Sequence, residues 1–419
     1  MTNSIESILN KYKKGTYEGE YPTVSESDFN LLKTFDKLKV KEALADLFME
    51  YPLPLATKKY TWNDVRDEYM KLKGIRWNTL LLEDEWYQRQ SRESKYPLTY
   101  EGKQLYFRRY NLGNLASNKF FEEERFGVES SGYPSGTRTW NTRAFMVTLM
   151  GAAYTLKLPQ IGRKELRTMV GLRKYIASQH KPCITKALTE YFGSEKMLDF
   201  SAGWGDRLCG AMASETINHY VGIDPRTQNH PIYKNQVEFY QKHTSFFENP
   251  TKVDLHESPA EDFDYSDYQD YFDLVFTSPP YFNVERYSND DTQSWIRYES
   301  IQSWNKDFLH KTLEKVIPTV KKGGKIAINI ADVYTSEKGG GGKDWKEITQ
   351  PMCEFLESKG LTYKGCIGME LAKRPNSGGA GTVKQTEHNQ NQYKEETIKN
   401  SEENQDKRFC EPIWIWKKL

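Results

Sequence analysis

From about residue 180 onward, short apolar runs alternate with longer amphipathic stretches, and glycine, proline, serine or aspartate separates them. Apolar runs of roughly four to eight residues between such breaks are typical of buried strands, whereas apolar residues that repeat at helical spacing indicate helices. Alternation of the two predicts an α/β fold with an open, mainly parallel sheet and helices on both faces. The predicted strands contain the runs KMLDF, HYVGID, KVDL, DLVF, KIAINI, KGCIGMEL and PIWIWK.

The preceding part of the chain has a different pattern, mostly helical and rich in aromatic residues and arginines. The segment TVSESDFNLLKTFDKLKVKEALADLFMEY has helical spacing of its apolar residues, with Ser25 or Ser27 as the N-cap. TWNDVRDEYMKLKG predicts a helix that ends at Gly74, and TRAFMVTLMGAAYTLKL predicts a buried helix. We therefore predict a helical N-terminal region over 1–175 and an α/β domain over 176–419.

Two stretches of biased composition interrupt the α/β part. SEKGGGGKDW, over 336–345, predicts a flexible glycine loop. The segment over 374–408 is polar and almost without aliphatic residues, so it cannot bury enough apolar surface to order itself. We expect a long mobile loop between two strands.

Composition narrows the class of protein. The chain has 419 residues, 28% of them charged, and a mean hydropathy of −0.79, as expected of a polar globular protein with two or three domains. It has no apolar run long enough for a membrane span and no signal-peptide core, so no membrane partner is expected. Five scattered cysteines without a C-x-x-C pair predict no disulfide framework and no metal site, and favour a reducing, cytoplasmic setting.

Charge is unevenly distributed. The net charge is only +1, but 13 Lys and Arg residues face 5 Asp and Glu residues between Lys103 and Lys174. Such a basic segment marks either a phosphate-binding face or an ordinary solvated helix surface.

A glycine turn follows the first strand of the α/β part. In DFSAGWGD, Gly203 and Gly205 allow a sharp bend and a close approach of a ligand to the backbone. The pattern lacks the full G-x-G-x-x-G of dinucleotide binders, so no pyrophosphate grip is required. Asp224 ends the next strand, where a carboxylate can accept the hydroxyls of a ribose. A turn and an acid of this kind suit S-adenosylmethionine, although a plain strand–turn–helix junction has the same residues.

The fourth strand runs into TSPPY, in which two prolines end the strand beside a hydroxyl and an aromatic ring. In doubly wound sheets, ligands bind beyond the carboxyl ends of strands where the strand order reverses, so TSPPY should lie beside the glycine turn. Together, Asp199–Asp206 and Ser278–Tyr281 resemble the motifs of S-adenosylmethionine-dependent DNA methyltransferases that modify exocyclic amines of bases. The resemblance covers about 180–419 and implies a Rossmann-like sheet whose last strand is antiparallel.

The resemblance also implies roles for individual residues. A serine at the first position of the tetrapeptide favours cytosine N4 over adenine N6. Its catalytic residues would be Ser278, Pro279, Pro280 and Tyr281, and its cofactor-binding residues Lys181, Pro182, Asp199, Ser201, Ala202, Gly203, Gly205, Asp206, Asp224 and Glu257. Glu257 and Glu261 lie where the family contacts the adenine ring, although either could be a surface acid.

The chemistry of the tetrapeptide is consistent with that implication. An exocyclic amine is a poor nucleophile because its lone pair is delocalised into the ring. The Ser278 hydroxyl and the Pro279 carbonyl can accept its hydrogens and hold the lone pair toward a methyl donor, and the prolines fix that carbonyl in place. Tyr281 offers a face on which a base flipped out of double-stranded DNA can stack.

Target recognition has no obvious place between or after the two motifs, so we expect the N-terminal region to bind the DNA. Its YFRRYNLGNL and SGYPSGTRTWNTR segments mix arginines with aromatic residues, as nucleic-acid contacts often do. The predicted substrate-binding residues are Arg108, Arg109, Arg138 and Arg143, with Phe282, Asn283, Arg286 and Tyr287 after the tetrapeptide; for the last four, an ordinary solvated loop is the alternative.

Other readings stay open. The fold could act on adenine N6 or on an RNA base, or it could be an inactive DNA-binding or regulatory subunit. The setting would be a bacterial cytoplasm or a phage- or virus-infected host cell. The recognition sequence, the oligomeric state and the role in restriction, protection or regulation are not determined by the sequence.

Overall fold

A computed structural model of the chain describes residues 4–13, 22–50, 60–89, 95–130, 134–173, 177–244, 250–337, 344–371, 400 and 403–419. Most of the predicted mobile loop over 374–408 lies outside the described residues, as does the central part of the glycine loop over 336–345.

The helices and strands follow the predicted alternation from residue 182 onward. The helices are α1 (Ile5–Lys13), α2 (Glu26–Leu32), α3 (Lys37–Met49), α4 (Trp62–Gly74), α5 (Asn114–Gly127), α6 (Gly136–Asn141), α7 (Arg143–Thr155), α8 (Arg163–Arg173), α9 (Pro182–Phe192), α10 (Asp206–Ala213), α11 (Asn229–Lys242), α12 (Ser294–Arg297), α13 (Ile301–Ser303), α14 (Lys311–Val316) and α15 (Thr349–Ser358). The strands are β1 (Leu81–Glu83), β2 (Trp86–Tyr87), β3 (Leu105–Phe107), β4 (Glu129–Ser130), β5 (Lys196–Asp199), β6 (His219–Asp224), β7 (Lys252–Glu257), β8 (Phe272–Thr277), β9 (Glu285–Arg286), β10 (Val320–Asn329), β11 (Val333–Thr335), β12 (Asp344–Lys346), β13 (Thr362–Glu370) and β14 (Arg408–Lys417).

The chain forms two compact units. Unit 1 comprises 1–61, 122–178 and 285–287, and unit 2 comprises 62–121, 179–284 and 288–419. This division differs from the predicted boundary at 175, because residues 62–121 pack within unit 2. Their short strands β1, β2 and β3 hydrogen-bond into the large sheet of that unit.

Unit 1 is largely helical and has its own core. The buried apolar residues come from the helices α1, α2, α3, α7 and α8, with Phe29, Phe48, Leu149 and Met150 completely buried. The strands β4 and β9 form a small antiparallel pair in this unit.

Unit 2 contains a mixed sheet with the strand order β1-β3-β13-β14-β10-β8-β5-β6-β7, and β2 pairs with β14. The pairs from β7 to β10 are parallel, whereas β14 is antiparallel to both β10 and β13. The predicted Rossmann-like α/β fold, with a mainly parallel sheet and an antiparallel last strand, is confirmed. All six residues of β6 are buried, as expected for a strand covered by helices on both faces.

Two local predictions need correction. The amphipathic stretch NKDFLHKTLEKVIPTVKKGG predicts one α-helix, but the chain forms a π-helix over Trp304–His310, then α14, then a 3-10 turn over Ile317–Thr319. Pro318 ends the helical run because it cannot continue the hydrogen-bond ladder, and β10 begins at once. At the end of the predicted glycine loop, β12 pairs with β11 in an antiparallel hairpin instead of remaining irregular.

Candidate functional site

The glycine turn and the TSPPY segment lie side by side at the carboxyl edge of the sheet. The strands β5 and β8 are parallel neighbours in which Leu198 is opposite Val275. Just beyond them, the Thr277 hydroxyl donates a 2.9 Å hydrogen bond to Asp199 Oδ1. Since β6 lies on the other side of β5, the strand order reverses here, which is the ligand position in doubly wound sheets. The predicted neighbourhood of the two motifs is confirmed.

The two glycines of the turn have different environments. Both have positive φ angles, 58° at Gly203 and 67° at Gly205, which favour glycine. A Cβ atom on Gly205 would lie 2.1 Å from Gln236 Oε1, so that side is filled by protein. A Cβ atom on Gly203 would meet nothing closer than the Ser201 carbonyl at 3.6 Å. The ligand-accessible side of the turn is therefore at Gly203.

Asp224, at the end of β6, holds this turn in place. Its Oδ2 accepts the Gly203 N–H at 2.9 Å, and its Oδ1 accepts the Arg226 N–H at 3.0 Å and the Asn229 amide at 3.2 Å. Burial raises the pKa of this carboxyl despite the two backbone donors, which act in the opposite direction. Oδ2 has one partner among the described residues, and a carboxylate oxygen can accept a further hydrogen bond.

Glu257 lies directly opposite Asp224 in the β6–β7 pairing. Its side chain is exposed and accepts the Thr227 hydroxyl at 2.6 Å. The neighbouring acid Glu261 is not a surface residue: it is buried and accepts hydrogen bonds from Arg297 and Tyr298. Burial raises the pKa of Glu261. Of the two acids, Glu257 is the one whose position leaves it open to a ligand.

Asp199 is a structural centre. It is 0% exposed, and its two oxygens accept four donors: the Thr277 and Tyr220 hydroxyls, the Arg207 Nε and the Ser201 N–H. These four hydrogen bonds use the acceptor sites of Asp199 within the protein, and its predicted contact with a cofactor stays a prediction. The residue positions the turn, and Arg207 also donates to the Ser201 carbonyl.

Asp206 and Ala202 also stabilise the turn through contacts in the protein interior. Asp206 is buried at the start of α10, where its Oδ1 accepts Ser117 Oγ and, at 2.8 Å, Gln179 Nε2. Ala202 is buried and donates its N–H to the Ile223 carbonyl at 2.9 Å. Both predicted cofactor residues shape the turn from its protein side.

The tetrapeptide presents two unused polar atoms. Within the described part of the chain, the Ser278 hydroxyl and the Pro279 carbonyl form no hydrogen bond, whereas the Pro280 carbonyl accepts the Phe282 N–H at 3.1 Å. The Tyr281 hydroxyl donates to the Asn329 carbonyl at 3.3 Å, which orients its half-buried ring. The Ser278 hydroxyl and the Pro279 carbonyl are the two acceptors that the mechanism predicted from the sequence requires for the amine hydrogens.

Phe282 and Asn283, the two residues after the tetrapeptide, are both engaged within the protein, and their predicted substrate contacts stay a prediction. Phe282 is 1% exposed, packs near Trp304, and has a φ of 54°, an unusual backbone conformation for a large residue. Asn283 is buried, donates to the Ser336 carbonyl at 2.7 Å and accepts the Thr335 hydroxyl at 2.8 Å. Both side chains fix the loop after the tetrapeptide.

The Lys181–Pro182 pair also differs from the prediction. Lys181 Nζ donates to the Glu370 carbonyl at 3.0 Å, so its ammonium lies at the end of β13, with β14, β10 and β8 between it and β5. Burial lowers the pKa of Lys181, and the charge of Arg109 acts in the same direction. Pro182 is buried at the first turn of α9, where a Cβ on Gly210 would lie 2.3 Å from its carbonyl oxygen. It packs α9 against α10.

The predicted DNA-contacting residues are divided between the units. Arg108 and Arg109 follow β3 in unit 2, are exposed, and leave the sheet at the same edge as Ser278, because β3 is parallel to β13. The other four lie in unit 1, where Arg138 pairs with Glu129, Arg143 with Asp46, Tyr287 with Glu285, and Arg286 belongs to β9.

Sequence reasoning missed the residues that hold the site together. Arg207 and Tyr220 anchor Asp199, and Asn229 and Tyr233 donate to the Gly203 carbonyl. Their signal in the sequence is weak because each acts through another residue. Arg207 could have been suspected, since an arginine at the second position of a buried helix needs an acidic partner.

The cysteine thiols of the chain show no sign of a nucleophilic role. All five thiols are free and buried, and burial raises the pKa of Cys183 to about 12, so it is a poor nucleophile. None of the helices that the structure describes has the length and apolar character needed to span a lipid bilayer.

Comparisons with known proteins give only distant likenesses. No protein-family model and no curated protein sequence matches the chain. A methyltransferase dependent on S-adenosylmethionine (SAM) from Methanosarcina mazei is 10% identical, with a TM-score of 0.32, covering 55% of this chain and 97% of its own. A SAM-dependent O-methyltransferase from Thermotoga maritima (11%, TM-score 0.31, covering 58% and 67%) and TrmN from Thermus thermophilus (10%, TM-score 0.33, covering 62% and 55%) are similar to the same degree. All three TM-scores lie below 0.5.

Proposed function

We propose that the chain is a SAM-dependent methyltransferase that modifies the exocyclic amine of a flipped base in double-stranded DNA, with cytosine N4 favoured. The observation that carries the proposal is the placement of Ser278 and Pro279. Their two unused acceptors lie at the end of the strand next to the open glycine turn.

The residues at the turn fit the proposed cofactor. The open side of Gly203 admits a ligand against the backbone, and Asp224 and Glu257 end neighbouring strands with acceptor oxygens for ribose hydroxyls. When bound, SAM would supply an activated methyl group. No phosphate grip is required at this turn, since SAM carries no phosphate.

The chain's own contribution to catalysis is positioning. Ser278 Oγ and the Pro279 carbonyl would accept the two hydrogens of the target amine and orient its lone pair. Because Pro279 and Pro280 restrict the backbone and Tyr281 is tied to Asn329, these acceptors need little reorganisation during the reaction. Tyr281 would support the base by stacking.

An extended polyanion fits the edge on which this site lies. Arg108 and Arg109 are four strand spacings from β8, or roughly 19 Å at about 4.8 Å per strand. That distance corresponds to about five to six base pairs of duplex DNA at about 3.4 Å each. The Lys181 ammonium lies near the same end of the sheet and adds positive charge.

Unit 1 would contribute further DNA contacts through Arg138 and Arg143, which are exposed and form surface ion pairs; the Arg138 guanidinium also lies 5.7 Å from the centre of the Phe145 ring. Such pairs are weak, about 0–1 kcal/mol, and can exchange for phosphates. Removal of residues 1–170 is not a clean test of this role, because it would also delete 62–121 from unit 2.

The direct test is methyl transfer from labelled SAM to unmethylated duplex DNA of mixed sequence, followed by digestion to nucleosides and mass spectrometry. N4-methylcytosine is the expected product. If the product is N6-methyladenine, the target base is adenine and not cytosine. If only RNA is methylated, the substrate is RNA and not DNA. Binding of SAM with no transfer to any nucleic acid would contradict the proposed function.

A charge-removal series tests the arginines at the sheet edge. Arg108→Ala and Arg109→Ala should each raise the KM for DNA and reduce the slope of log K against log salt by roughly 0.9, the value for one lost phosphate contact. The Kd for SAM should stay unchanged. Lys322→Ala is the matched control, because Lys322 is exposed near the start of β10, at the opposite edge of the sheet. Equal salt slopes in all three variants would exclude these arginines from the DNA surface.

A further inference from the structure

A concave site lies on the helices α4, α5 and α11, and all of its lining residues belong to unit 2. It is a cleft of about 780 Å³, within the size range of ligand pockets. It is lined by aromatic, basic and amide side chains, namely Trp62, Phe120 and Phe239; Arg66, Lys119, Lys242 and His243; and Asn63 and Asn235, together with Ile232 and Glu238.

Three aromatic rings form one side of this cleft. The Trp62 ring centroid lies 5.3 Å from that of Phe120 and 5.5 Å from that of Phe239, and the two phenylalanines are 5.6 Å apart. Trp62 is nevertheless 53% exposed. Exposure of so much apolar indole surface to water is unfavourable, so the open face of Trp62 is suited to stack on a planar group.

Positive charge surrounds the rings. Lys119 Nζ lies 5.7 Å from the centre of the Trp62 ring, and within the described part of the chain neither Lys119 nor Lys242 forms an ion pair. Arg66 pairs with Asp67, but both are exposed and the pair is weak. Burial lowers the pKa of His243, with the charges of Lys242 and Arg66 adding to the effect. Glu238 is the one acid among the lining residues, so the cleft is complementary to an anion.

The cleft is separate from the methyl-transfer site. At the start of α11, Asn229 and His230 contact Asp224, whereas Lys242 at its end lines the cleft. A helix of 14 residues is roughly 21 Å long. Ile232 and Asn235, nearer the start of the helix, also line the cleft, so one rigid element contacts both sites along its length.

We propose that this cleft binds a single-stranded nucleic-acid segment, with a base stacked on Trp62 and phosphates held by Lys119, Lys242 and Arg66. Stacking faces combined with a basic groove are the features by which proteins hold unpaired strands without sequence preference. The amides of Asn63 and Asn235 supply hydrogen bonds to base edges. The inference goes beyond the proposed function and does not depend on it.

The probe is fluorescein-labelled oligothymidylate of twelve nucleotides, and the readout is fluorescence anisotropy with the full chain. Thymine has no exocyclic amine, so this strand is not a methyl acceptor. Trp62→Ala should weaken binding by about tenfold to a hundredfold, whereas Trp62→Phe should retain most of it, because a stacking face remains. Lys119→Ala and Lys242→Ala should each reduce the salt slope by roughly 0.7.

The matched controls come from the same unit. Trp77 is 36% exposed and lies outside the cleft, so Trp77→Ala should leave the Kd unchanged, as should Lys322→Ala. Equal losses for Trp62→Ala and Trp77→Ala, or no loss for either, would overturn the proposal. Competition by thymidine monophosphate at the same concentration as the strand would also overturn it, because the cleft would then hold a free nucleotide.

Discussion

Ser278→Ala should lower the kcat for methyl transfer by about 10²- to 10³-fold, the range seen when one preorganised polar group is removed from an active site. The hydroxyl makes no hydrogen bond among the described residues, so its loss should not disturb the fold. The Kd for SAM should stay unchanged, because the glycine turn and Asp224 are untouched. Single-turnover kinetics with labelled SAM measure the step directly.

Two further variants separate chemistry from structure. Ser278→Asp keeps an acceptor at the same position and should recover part of the lost rate. Ser358→Ala, at the exposed end of α15, removes a hydroxyl remote from the site and should have no effect on kcat. An unchanged kcat in Ser278→Ala would remove Ser278 from the mechanism, even if DNA methylation itself had been established.

Arg207→Met should lower the free energy of unfolding by about 3–5 kcal/mol, the usual effect of leaving one partner of a buried ion pair without its counter-charge. Arg207 Nε lies 2.8 Å from Asp199 Oδ2, and both side chains are buried. The same carboxylate also accepts the Thr277 and Tyr220 hydroxyls, so three strands meet at one charge. Urea denaturation followed by circular dichroism provides the measurement.

The comparison for this variant is an exposed pair in the same unit. Lys103 Nζ lies 3.1 Å from Glu83 Oε2, and both side chains are more than half exposed, so Lys103→Met should change stability by about 0–1 kcal/mol. A double variant, Arg207→Met with Asp199→Asn, should be more stable than Arg207→Met alone, because no unpaired charge remains and the amide oxygen still accepts hydrogen bonds. If Arg207→Met proved as mild as Lys103→Met, Asp199 would not be the structural centre described above.

Helix ends were predicted well from the sequence because their signals are local. In the α/β part, Gly193 ends α9 with a φ of 60°, as its place after an apolar helix predicts. In the N-terminal region, Ser25 caps α2 by accepting the Asp28 N–H. Leu38 belongs to the helically spaced apolar residues of TVSESDFNLLKTFDKLKVKEALADLFMEY, which predicts that it is buried in one continuous helix. Asp36 starts a new helix, α3, and Leu38 is exposed, so one predicted helix became two.

Other features depend on contacts between distant parts of the chain. The strands β1, β2 and β3 are only two or three residues long, too short for a hydrophobic period to mark them. The internal contacts of Asp199, Phe282 and Asn283 could not be predicted, because a motif gives the residue types at a site but not which oxygen or ring is already engaged by a neighbour. Arg207 and Tyr220 decide that for Asp199.

The pairing of β3 with β13 sets a condition on biosynthesis. Tyr106 is opposite Gly368, so about 260 residues must be added after β3 is synthesised before β13, its partner on that side, exists. At about 5–20 residues per second, this delay is roughly 13–50 s. During that time the nascent chain carries an unpaired, aromatic strand edge, a known target for misassociation, so its yield in a cell should depend on the chaperones available during translation.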